Sequence, residues 1–130
     1  MTLAYLDASA AMKLVVEEAE SAALADGLAS GRRLVASWLL HTELHCAAGR
    51  HPQTIDRDAV QSVLSTVDLV DITRGDLLAA GTHTPLRSND AIHLAVALRL
   101  GVDEFVAYDT ELTAAATAAG VVVFAPGVHT

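Results

Sequence analysis

Four carboxylates in this 130-residue chain stand where an acid is either well placed for chemistry or costly to keep. Asp7 and Asp109 each follow directly on a short apolar run that reads as a β-strand. In an open parallel sheet that position is the carboxyl edge, where such folds collect ligands. Asp90 falls in the first turn of an apolar helix. Taken singly, each of the three also reads as a helix cap or as a charge favoured by a helix dipole. Glu43 is harder to place that way. Its helical neighbours three and four positions away are Leu39, Leu40, Cys46 and Ala47, so the acid shares an apolar stripe. A carboxylate there is costly unless it is paired, neutralised or bound to a metal. The plain alternative is an ion pair with Arg50 or Arg87.

Acids from four separated segments, gathered at one sheet edge, would repel one another without cations. Hard oxygen donors, with Cys46 as the single cysteine, favour Mg²⁺ or Mn²⁺ over zinc. A site of that kind suits phosphodiester cleavage, in which a cation activates water and a second cation, where present, stabilises the leaving oxygen.

The elements that must position these acids alternate along the chain. Apolar runs at 3–6, 34–37, 67–72, 105–108 and 121–124 predict five strands. Helical patterns cover 8–18, 19–29, 38–48, 56–66, a stretch beginning near Thr73, a stretch capped by Ser88 that reaches Leu100, and a stretch capped by Asp109 that stops at Gly120. Gly31, Gly49, Pro52, Pro85 and Gly101 punctuate them. This order predicts an α/β fold, a central parallel five-stranded sheet covered by helices on both faces, as one domain over residues 1–130.

A hydrophobic content of 52% is enough for one proper core at this length. No apolar run approaches the roughly 18 residues of a membrane span, and the start lacks the basic segment of a secretory signal, so a soluble, cytoplasmic protein is expected. The single cysteine excludes an intrachain disulfide and any thiolate cluster for zinc or iron. A net charge of −8 argues against a broad basic surface for nucleic acid, but clustered carboxylates with bound cations reverse the local field.

Several stretches, taken together, resemble one family. LDASAAMK, residues 6–13, is similar to the opening motif of PIN domains, an aspartate followed two residues later by a hydroxyl. SWLLHTELHCAAGR, LRSNDAIHLAVAL and FVAYDTELTAAATAAG resemble the second, third and fourth acidic motifs of that family, in order and over nearly the whole chain. The resemblance implies a PIN-like three-layer fold and a Mg²⁺- or Mn²⁺-dependent endoribonuclease. Asp7, Glu43, Asp90 and Asp109 then correspond to the metal-binding acidic quartet, with Ser9 and Thr110 as hydroxyl helpers. It further implies a VapC-type toxin that cleaves RNA, is neutralised by a cognate VapB-like antitoxin, and pairs as a homodimer. Two positions depart from the family's pattern, Asn89 before the third acid and Ala107 before Tyr108.

Other polar residues have simpler readings. His93 lies one turn beyond Asp90 among apolar neighbours and reads as a core histidine with one satisfied nitrogen. His41 and His45 cannot converge with Glu43, because residues two apart on a helix point in different directions. Lys13 either touches phosphate or neutralises nearby acids, and Glu17, Glu18 and Glu20 read as a solvated helix end. Arg32, Arg33, Arg50 and Arg87 are candidates for guiding RNA, though most arginines are simply solvated. A response-regulator receiver fails for want of a lysine after the last strand, and a haloacid-dehalogenase phosphatase fails because Ser9 stands where a second acid is needed. The alternatives left open are a PIN-like nuclease outside any toxin pair and a catalytically silent PIN-like binding module.

Overall fold

The computed structural model describes residues 1–128. Among them run β1 (Thr2–Leu6), α1 (Ala8–Val15), α2 (Ser21–Leu28), β2 (Arg32–Ser37), α3 (Leu39–Arg50), α4 (Arg57–Leu64), β3 (Val67–Val70), α5 (Arg74–Ala80), α6 (Ser88–Leu100), β4 (Glu104–Val106), α7 (Thr110–Ala118) and β5 (Val122–Phe124). The five strands form one sheet in the order β3-β2-β1-β4-β5, with every pair parallel.

That order has a direct consequence for the site. From β1 the chain steps to β2 and then β3 in one direction; from β3 it crosses back to β4 and then β5 in the other. Right-handed crossovers therefore put α1 to α4 on one face and α5 to α7 on the opposite face. The connections diverge between β1 and β4, which leaves a crevice at the carboxyl ends of those two strands. Asp7 closes β1 at that crevice, its backbone N–H bonded to Val106 O at 3.0 Å.

The core forms on both faces of the sheet because the carboxyl-terminal halves of the inner strands, Ala4–Leu6, Val35–Ala36 and Phe105–Val106, are apolar and buried. Tyr5, Leu6, Phe105, Val106, Leu24, Leu40, Leu44, Leu94 and Leu112 are all fully buried or nearly so. Tyr5 and Phe105 stack across β1 and β4 with ring centroids 5.5 Å apart, which packs the neighbouring strands that carry the crevice.

Local chemistry sets boundaries that differ from the sequence expectations. α1 ends at Val15 rather than 18, because the Ser21 hydroxyl accepts from Glu18 N and donates to Val16 O, offering the backbone a turn in place of a helix. α2 accordingly starts at Ser21. Ser88 is the first helical residue of α6 and not its cap; the N-cap is Arg87, which makes no capping side-chain bond. β3 stops at Val70, and β4 stops at Val106, so Asp109 lies beyond a short loop rather than directly after its strand. Thr73 and Asp76 form a full capping box for α5, and Gly101 closes α6 at φ 64, a left-handed conformation that suits glycine.

Candidate active site

Asp7 is the N-cap of α1 and is only 2% exposed. Its Oδ2 accepts from the backbone N–H of Ser9 at 3.1 Å and from the Ser9 hydroxyl at 2.7 Å. Its Oδ1 is buried without any hydrogen-bond partner. A buried carboxylate oxygen left unsatisfied is costly, and a cation is one of the few things that would relieve it. Ser9 Oγ in turn accepts from Tyr108 N at 2.9 Å, so one hydroxyl fixes Asp7 and ties the loop after β4 to the start of α1.

Asp109 is the N-cap of α7, exposed, with Oδ1 accepting from Leu112 N at 2.8 Å. Its capping geometry leaves the carboxylate at the lip of the crevice. Asp90, half-buried in the first turn of α6, is where the acids meet electrically. Burial pushes its carboxyl up to about 6, helped by the charges of Asp7, Asp109 and Glu43 and opposed by His93. The other three expected acids thus each lie near enough to act on the charge of Asp90. The four do not form a closed ligand set: among the described residues, no three His, Cys, Asp or Glu side chains are already gathered into a metal-holding group.

Glu43 is 19% exposed, on the fifth residue of α3. Neither Arg50 nor Arg87 pairs with it. Its Oε1 lies 2.5 Å from His93 Nε2 instead. His93 is fully buried, and both its ring nitrogens are engaged, since Nδ1 lies 2.6 Å from the Tyr5 hydroxyl, which also accepts from Ser37 N at 3.1 Å. Burial pulls the His93 pKa down, but the Glu43 hydrogen bond and the charges of Asp7, Glu43 and Asp90 outweigh it and hold it above the ordinary imidazole value. Burial pushes the Tyr5 hydroxyl up, so it keeps its proton.

His93 is the residue that sequence reasoning set aside. The signal available was an imidazole on an otherwise apolar helix, one turn from Asp90; the missing information was that Tyr5 and Glu43, far apart in the chain, flank it.

The remaining candidates divide. Ser9 belongs to the site as a hydrogen-bonding partner of Asp7. Thr110 is exposed and lines a separate recess with Tyr108, Thr113 and Val123, whereas Asp90 and Asp109 share a recess of about 170 Å³ with Arg87 and Glu111. Lys13 is bonded to Glu18 at 2.8 Å and Glu20 at 3.2 Å and lies 4.8 Å from the centre of the Tyr108 ring. It therefore neutralises acids of the α1–α2 link, and two of the three glutamates there are partners rather than merely solvated. Arg32 pairs with Glu104, and Arg33 with Asp68. His41 and His45 pack on each other at 4.5 Å, and His45 meets Arg57 at 3.2 Å. A larger groove of about 390 Å³ runs beside Glu43, floored by Ala8, Met12, Leu44 and Ala47 and edged by Arg50 and Asn89.

A doubly wound parallel sheet whose switch point is lined by carboxylates defines an α/β protein with an acidic, ligand-accepting edge. The family profile of the PIN domain matches residues 4–118, and the chain belongs to that family. Ribonuclease VapC46 of Mycobacterium tuberculosis (strain ATCC 25618 / H37Rv) is 39% identical over 130 residues, covering 97% of this chain and 99% of that protein. Ribonuclease VapC35 of the same strain is 40% identical over 131 residues, covering 95% and 96%. Among solved structures, the VapBC2 complex of Rickettsia felis bound to a DNA fragment from its promoter aligns with a TM-score of 0.73 at 11% identity, covering 95% of this chain and 98% of that one. VapC20 of Mycobacterium tuberculosis, a sarcin-ricin loop cleaving toxin, aligns with a TM-score of 0.70 at 20% identity, covering 92% and 96%. At those identities the structures speak for the fold.

Proposed function

We propose that the chain is a divalent-metal-dependent endoribonuclease acting as the toxin of a toxin–antitoxin pair. The observation that carries this is Asp7, a buried carboxylate at the switch point with one oxygen doubly hydrogen-bonded and the other left without a partner. Its relatives of 39% and 40% identity bear the name ribonuclease over nearly their whole length. Asp7, Glu43, Asp90 and Asp109 are the residues that would hold Mg²⁺ or Mn²⁺, as all-oxygen donors suited to a hard cation. When bound, such a cation supplies Lewis acidity at the scissile phosphate and makes water a competent nucleophile.

The chain's own residues do the positioning. Ser9 holds Asp7 Oδ2 and so aims Oδ1. Leu112 N holds Asp109 Oδ1. His93 holds Glu43 Oε1. Arg87, at the recess shared by Asp90 and Asp109, is a cation available to a substrate phosphate on a chain of net charge −8. The substrate is read as single-stranded RNA, since unpaired segments expose the base edges that sequence-specific RNA recognition targets. The apolar floor of the groove beside Glu43 suits an amphipathic segment of a VapB-like antitoxin, and the family resemblance supports pairing of two copies as a homodimer.

The test is direct. Purified chain with Mg²⁺ or Mn²⁺ cuts single-stranded RNA, EDTA stops it, and Asp7→Asn abolishes it. If varied RNAs stay intact and Asp7→Asn changes nothing, catalysis is abandoned in favour of a silent binding module. Co-purification of the product of a small adjacent reading frame that suppresses cleavage tests the toxin assignment separately.

A further inference from the structure

Glu43 and His93 belong to helices on opposite faces of the sheet, and their hydrogen bond joins the two layers past the carboxyl ends of β1 and β2. The chain of contacts continues from His93 Nδ1 to the Tyr5 hydroxyl at 2.6 Å and from Ser37 N to that hydroxyl at 3.1 Å. Tyr5 and His93 are both fully buried, so water does not complete the set.

The protons can be placed by elimination. Ser37 N–H can only donate, so the Tyr5 oxygen is an acceptor there. The remaining partner of the phenol is His93 Nδ1, and while the ring is neutral the phenol proton goes to it. A neutral His93 ring then carries its own proton on Nε2. A protonated ring carries one there as well, its Nδ1–H then donating to the phenol oxygen, which accepts that bond beside the one from Ser37 N. In either state Nε2–H donates to Glu43 Oε1, and Oε2 is left for the site.

We propose that His93 is a positioning residue that fixes the Glu43 carboxylate, with Tyr5 and the Ser37 backbone N–H holding the imidazole in the orientation and tautomer this requires. The proposal rests on reading Glu43 as part of a cation-dependent RNA-cleaving site. A partner that orients a ligating group through a hydrogen bond typically contributes about 10- to 100-fold to metal affinity or activity.

The experiment compares the parent chain with His93→Leu, His93→Gln and Tyr5→Phe. In the metal-free parent, the imidazole ¹⁵N shifts place the proton on Nε2 of the neutral ring. Mn²⁺ binding, followed by the EPR signal of the free ion, weakens by about tenfold or more in His93→Leu, and kcat for RNA falls by a similar factor with KM little changed. His93→Gln, whose amide nitrogen can donate from the place of Nε2, recovers most of both. Tyr5→Phe removes one oxygen, keeps the core volume, and weakens Mn²⁺ binding in the same direction; it carries the test should His93→Leu fail to fold. A neutral ring protonated on Nδ1, or folded His93→Leu and Tyr5→Phe variants that bind Mn²⁺ and cleave like the parent, overturns the proposal. A parent that neither binds Mn²⁺ nor cuts RNA overturns instead the reading of the site beneath it, and does so before any variant is made.

Discussion

Replacing Ser9 by alanine removes one oxygen that serves two bonds. Its hydroxyl donates to Asp7 Oδ2 at 2.7 Å and accepts from Tyr108 N at 2.9 Å. The first is a bond to a charged acceptor, for which about 1.5–3 kcal/mol is typical, and the second is a neutral bond of about 0.5–1.5 kcal/mol. The Asp7 carboxylate left behind is hard to rehydrate, because Asp7 is 2% exposed and already has one orphaned oxygen. The two losses share an atom, so simple addition overstates them, and a net destabilisation of about 2–3 kcal/mol is expected. For a domain of this size that lowers Tm by roughly 8–12 °C. Urea unfolding of the metal-free chain, followed by far-UV circular dichroism, reads the change as a shift in midpoint at constant slope. Ser9→Thr keeps the hydroxyl and should stay within about 1 kcal/mol of the parent. A loss below about 0.5 kcal/mol for Ser9→Ala would show that the hydroxyl does not bind Asp7 to the loop after β4, and the positioning of Asp7 would need another cause.

Asp90 makes metal-free stability depend on pH. Its folded pKa of about 6 lies above the ordinary 3.8, so the folded chain binds more protons in between, and stability falls as pH rises from about 4 to about 6. The groups facing it are Asp7, Asp109, Glu43 and His93. Urea midpoints in EDTA should show that slope, Asp90→Asn should flatten it, and a slope unchanged by Asp90→Asn refutes the account. Adding Mn²⁺ at pH 7 should raise the midpoint of the parent more than that of Asp7→Asn, since a cation offsets the same repulsion; equal shifts would place the cation elsewhere. Gly101→Ala meets no atom within 4 Å and so costs only the left-handed strain of φ 64, about 1–2 kcal/mol by thermal unfolding, without loss of RNA cleavage.

Much of the architecture was legible because its signals are local. A strand is read from a few apolar residues, and a helix start from the acid that caps it, so Asp7 and Asp109 were placed at their caps from sequence alone. The errors fell where a distant or competing bond decides the boundary. Ser21 ends α1 early by bonding the backbone, and the loop after Val106 is drawn to Ser9 rather than continuing β4. Glu43 shows the same division: the sequence exposed an acid on an apolar stripe and the need for a partner, yet the partner proved to be His93 and not an arginine.

What the linear chain determined by itself was composition, element type and the chemical identity of the acids, all properties of residues and their near neighbours. The strand order, the crevice between β1 and β4, and the Glu43–His93–Tyr5–Ser37 chain were decided only when the sheet was assembled. The reason is physical: a hydrogen bond between residues 50 or 88 positions apart leaves no mark on either sequence neighbourhood. It exists only because packing brings both groups out of water to the same few ångströms.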